Sequence, residues 1–143
     1  MSDQLVPASD VALSAALRLI ADVVARAAAD GLAVSIAVTD RAGNLVAVGR
    51  MPDAALGTLR LATDKAYTAA IWQYPSGAFR ESSQPGGDDW GLTSTESGRI
   101  VVYDGGLPIM VAGAFVGAIG VSGGTGAQDA GLAAASLATE FGG

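Results

Sequence analysis

VSIAVTDRAGNLVAVGRM, residues 34–51, decides the fold. Apolar and polar side chains alternate from Leu32 to Asp40, and again over LVAVGRM at 45–51. A period of two lets a strand bury one face and wet the other. Between the two runs stand Arg41, Ala42, Gly43 and Asn44. Gly and Asn tolerate left-handed backbone, so this is turn chemistry. The stretch predicts a β-hairpin, with Asp40 capping its corner and Pro52 closing its second strand.

On the N-terminal side, Ser9 and Asp10 are candidate caps for a helix in which Leu13, Leu17, Ile20, Val24 and Ala27 recur at helical spacing. Gly31 is placed to end it. On the C-terminal side, Leu56 to Trp72 is rich in helix formers, with Leu59, Ala62, Ala66 and Ala69 on one side. Such small residues predict close packing against a helix or a sheet. Pro75 opens a short helix, SGAFRES, and a long polar loop, SSQPGGDDWGLTSTESG, follows. RIVVYD at 99–104 predicts a strand, Gly-Gly-Leu-Pro a turn, and IMVAG and FVGAIGVSGG further strands. TGAQDAGLAAASLATEF at 125–141 closes the pattern as an Ala-rich helix. Strands grouped in this way predict an α/β domain of the α+β kind, an antiparallel sheet flanked by helices, spanning residues 1–143 as one unit.

Composition narrows the function classes. The net charge is −6 and no basic run exists, so a phosphate backbone has no footprint and nucleic acid is not an expected partner. There is no Cys and no His, which removes thiolate chemistry, the commonest general base and the commonest metal ligand. No metal site is expected, and no motif requires a cofactor. MSDQLVPASD has neither a basic nor an apolar leader region, and no uninterrupted apolar run is long enough for a membrane span. A cytoplasmic protein without a membrane partner is expected. Only 15% of the residues are charged, against about 25% in typical soluble domains. Either the core is large or apolar surface is covered by further copies of the chain; a small domain favours the second, so a homo-oligomer is expected.

The Gly-rich run from Gly117 to Thr125 passes from a strand into a helix. Backbone amides at such a junction attract an anion, and Ser122, Gly123, Gly124 and Thr125 would face it. No Gly-Lys-Ser/Thr follows, so this is not a Walker loop. The alternative is a tight turn in which Gly supplies backbone freedom. Gln128 and Asp129 lie in the first turn of the following helix, near any such ligand or simply favoured by the helix dipole. Lys65, among small residues in ATDKAYTAA, is a base, a Schiff-base former or an anion ligand if buried, and otherwise a snorkelling or ion-paired side chain. Arg50 at a strand end suits a carboxylate or a structural pair. The long loop supplies Asp88, Asp89, Trp90, Thr93, Thr95, Glu96 and Arg99, as a pocket wall or a solvated loop. Glu96, Tyr103 and Lys65 are the candidate catalytic proton carriers. The expected site is a convergence of the 122–125 turn, the last helix's N-terminus, Lys65 and Arg50, with the Trp90 loop folding over it. There, removing Lys65 would change function and, absent a structural pair, leave stability nearly intact.

VSIAVTDRAGNLVAVGRM, ATDKAYTAA, GGLPI and VGAIGVSGGTGAQD together resemble the GlcG/HbpS family, which includes the C-terminal domain of PduO-type proteins. The resemblance runs from about Ala12 to the C-terminus. It implies a profilin-like fold with a five-stranded antiparallel sheet. It also implies dimers and larger rings, up to octamers, and haem or corrinoid-related ligands. Haem binding in such relatives is associated with His, which this chain lacks. Two functions follow. The first is an oligomeric protein binding a small anionic organic molecule, a tetrapyrrole among the candidates. The alternative is a metal-independent enzyme, an isomerase, cyclase, lyase or hydrolase, moving protons on a small catabolic or biosynthetic intermediate.

Overall fold

In the computed structural model, which describes residues 3–142, the hairpin forms as read. Strands β1 (Ser35–Thr39) and β2 (Leu45–Arg50) pair antiparallel, Ser35 opposite Arg50 and Thr39 opposite Leu45. Asp40 fixes the corner, its Oδ1 accepting the amides of Ala42 and Asn44 at 2.9 Å each. Helix α1 (Leu13–Ala29) precedes the hairpin and helix α2 (Gly57–Trp72) follows it. After irregular chain come β3 (Gly106–Val111), β4 (Ala114–Ser122) and helix α3 (Gly126–Phe141). The sheet order is β2-β1-β4-β3, antiparallel throughout.

The sheet has four strands, not five. RIVVYD is irregular because side chains satisfy its backbone. Thr68 Oγ1 accepts the Val101 amide at 3.1 Å, and Ser76 Oγ donates to the Tyr103 carbonyl at 2.5 Å. Of the expected Gly-Gly-Leu-Pro turn, Gly105 is in a turn, and Gly106, Leu107 and Pro108 already belong to β3. The proposed Ser9 and Asp10 caps are also absent from α1, whose N-cap is Ala12 without a side-chain bond. Asp10 instead accepts the Arg41 amide at 2.9 Å and Nε at 3.1 Å, tying the incoming chain to the hairpin corner.

The two faces of the sheet are built differently. Helices α1 and α3 cover one with branched side chains: Leu19, Val23 and Leu132 pack on Ile36, Ile119 and Val121. Each such buried side chain contributes about 1.5–3 kcal/mol. On the other face α2 meets the sheet through Ala62, Ala66, Ala69 and Ala70, against Ala37 and Ala118. Gly106 and Gly120 are partners across β3 and β4. A Cβ on Gly120 would strike the Ala62 carbonyl and lie 2.6 Å from the Ala66 amide nitrogen, and one on Gly106 would strike the Lys65 carbonyl. Helix backbone therefore rests on sheet backbone, which fixes where α2 side chains emerge. Among the described residues no helix is long and apolar enough to cross a membrane.

Candidate functional site

Because α2 sits so close, Lys65 reaches past the end of β4 to α3. Its Nζ donates to the Val121 carbonyl at 2.9 Å and to Asp129 Oδ2 at 3.0 Å. Asp129 Oδ1 accepts the Gly124 amide at 2.8 Å. The two side chains are 3% and 2% exposed. A buried charge needs a partner, and this pair supplies one to each side while linking α2, β4 and α3. Lys65 thus makes the structural pair whose absence was the condition for unchanged stability, and two of its three donors are engaged.

The start of α3 is closed by a capping box. The Thr125 amide donates to Gln128 Oε1 at 2.8 Å, and the Gln128 amide donates to Thr125 Oγ1 at 3.2 Å. Gly123, at φ +146°, is pressed against the Ala33 carbonyl, where no side chain fits. Ser122 is buried and, with Lys65, Tyr103, Gly124 and Asp129, lines a cavity of about 220 Å³. Arg80 and Asp104 complete that wall. Both terminal nitrogens of Arg80 stand 3.3 Å from Asp104 Oδ2. Past Arg80 and Tyr103, a second cavity of about 440 Å³ is lined by Ile100, Val101 and Val102, with Thr93 from the long loop.

Other expected members lie elsewhere. Arg50 ends edge strand β2, with Ser35 standing between it and Ser122 in the sheet, and it lines neither cavity. Its strand is two places from β4, too far out for the expected convergence. Trp90 does not fold over the cavities. It is 67% exposed, held out by turns such as its own amide bond to the Gly87 carbonyl at 3.1 Å. Glu96 belongs to a separate cluster on α2, accepting the Tyr67 hydroxyl at 2.8 Å. That hydrogen bond, helped by burial, raises the Tyr67 phenol above its ordinary value. Arg99 stacks 3.6 Å over the Tyr67 ring and reaches Asp64 at 3.5 Å. Gln128 lines another hollow, beside Arg26 and Asp30.

Arg80 and Asp104 had no role in the sequence reading. Their signal was indirect: Gly77 and Gly126 leave the room that the Asp104 carboxylate fills. Nothing in a linear sequence sets those glycines beside an aspartate.

The family model for haem degrading protein HbpS-like matches residues 11–138. The chain is 37% identical over 127 residues to an uncharacterized 15.0 kDa protein of the dhaT–dhaS intergenic region of Citrobacter freundii, covering 89% of each. Klebsiella pneumoniae protein ORFY superposes with a TM-score of 0.94 at 32% identity, over 99% of this chain and 97% of that one. A PduOC:heme complex superposes with a TM-score of 0.85 at 30% identity, over 90% and 94%.

Proposed function

The chain belongs to the HbpS-like family, and from that premise we propose that it binds an anionic organic molecule, a tetrapyrrole among the candidates, in the two cavities that share Arg80 and Tyr103. The observation that carries this reading is Arg80. It lines both cavities, is half exposed, and lies between the chamber of the two ion pairs and a wall that includes Ile100, Val101 and Val102. An acid group on Arg80 and a flat apolar body against Ile100, Val101 and Val102 would use both.

The donor set does not fit an iron-centred mode. The sequence offers no His or Cys. Lys65 is committed to Asp129 and Tyr67 to Glu96. Among the described residues Tyr103 is the phenol that lines the cavities, and it is 61% exposed. Binding in this reading runs through the acid groups and the ring. Hemin and metal-free protoporphyrin IX should bind with dissociation constants within about threefold of each other in absorbance titrations. Arg80→Ala should weaken both at least about tenfold, or about 1.4 kcal/mol. A sharp ligated Soret band from hemin alone, lost in Tyr103→Phe, would overturn the iron-independent mode. Undiminished porphyrin binding by Arg80→Ala would overturn the site.

The chain also works, in this reading, as a homo-oligomer of two to eight copies. The low charged share supports this, as do Leu13 and Leu17 exposed one turn apart on α1 and Leu45 and Val48 exposed on β2. Sedimentation at micromolar protein should give a dimer or larger, and a single species of 14.1 kDa rules it out.

A further inference from the structure

Two ion pairs line the smaller cavity, and they differ in what they leave for a ligand. Lys65–Asp129 is sealed, with Nζ also on the Val121 carbonyl and the second carboxylate oxygen on the Gly124 amide. Arg80–Asp104 is open, at 53% and 37% exposure. Both Arg80 nitrogens crowd one oxygen at 3.3 Å, beyond the roughly 2.7–2.9 Å of a good charge-assisted bond. The other oxygen, Oδ1, is turned toward Gly77, where a Cβ would strike it. This pair can exchange partners, and the sealed one cannot.

The charges also balance, two cations against two carboxylates. A bare anion reaching Arg80 gains its guanidinium but meets the like charge of Asp104. A head group carrying both an anion and a hydrogen-bond donor satisfies both members. We propose that the cavity of about 220 Å³ is a head-group subsite for a carboxylate bearing a hydroxyl or amino group on the adjacent carbon. Arg80 takes the carboxylate and Asp104 takes the donor. The apolar remainder of the ligand runs past Tyr103 along Ile100–Val102. This rests on the Arg80 groove being the binding site, and it makes Asp104 the residue that sets head-group specificity.

The probes are 2-hydroxyoctanoate and octanoate, which differ by one hydroxyl, titrated calorimetrically into the intact protein. The wild type should prefer the hydroxy acid by at least about tenfold, the scale of one hydrogen bond to a charged group. Asp104→Ala should abolish that preference and bind octanoate more tightly than the wild type does. Arg80→Ala should weaken both. Asp104→Asn keeps the shape of the side chain and should still tighten octanoate, which separates charge from fold. A merely structural Asp104 would weaken both probes together, and that result overturns the proposal. So does equal affinity of the wild type for the two, or no binding of either. If protoporphyrin IX still binds in an Arg80-dependent manner, only the head-group assignment fails. If it does not, the groove reading fails with it.

Discussion

Lys65→Ala is expected to destabilise the fold by about 3–5 kcal/mol, because it leaves the buried Asp129 carboxylate without its ion-pair partner, on the Gly124 amide. Domains of this size have about 5–15 kcal/mol in total, so the loss is a large fraction of the whole. The urea midpoint should fall accordingly, and the thermal midpoint by roughly 10–15 °C. The double change Lys65→Met with Asp129→Leu removes both charges and should recover most of the loss, to within about 1–2 kcal/mol of wild type. The exposed Arg18–Glu140 pair, at 2.7 Å, provides the contrast. Its removal should move stability by no more than about 1 kcal/mol despite the shorter distance. A single-variant loss below about 1 kcal/mol, or a double variant worse than either single one, would contradict this account.

Glycine substitutions should separate just as sharply. Gly120→Ala places a methyl group into the backbone of α2 at Ala62 and Ala66. Overpacking against movable side chains costs about 1–3 kcal/mol. Here the neighbours are carbonyl and amide atoms already bonded within a helix, so about 3 kcal/mol or more is expected. Gly131, in the middle of α3, has open space where its Cβ would be. Gly131→Ala should therefore stabilise by about 0.5–1 kcal/mol through helix propensity and a less free unfolded chain. Denaturant melts of the two variants should move in opposite directions. A Gly120→Ala protein as stable as wild type would mean that α2 can lift from the sheet.

Periodicity made the hairpin and the three main helices legible, since those patterns are local. The small-residue face of Ala62, Ala66 and Ala69 correctly announced close packing. RIVVYD misled because Val and Tyr favour strands, while the Thr68 and Ser76 hydroxyls that claim its backbone lie at least 27 residues away. The polar floor of the site was half visible. Lys65, Ser122, Gly124 and Asp129 do meet. Arg50 was placed with them on charge alone, and charge says nothing of strand order. Arg80 escaped because its partner, Asp104, is 24 residues distant and is held by glycines rather than by a motif.

The four-stranded sheet has two outer strands, and they are not equivalent as templates for another chain. Strand β3 carries Pro108, which has no amide hydrogen, and its register slips between Ile109 and Met110. The proline blunts that edge against pairing. Strand β2, LVAVGR, contains no proline; Val46 is bulged out of the ladder to β1, and Ala47–Arg50 pair without a break. Along Ala47–Arg50 every residue of that edge keeps its amide hydrogen. Strand addition, whether in ordered assembly or in aggregation, is thereby favoured at β2, beside Ala47–Arg50, over β3 with its proline.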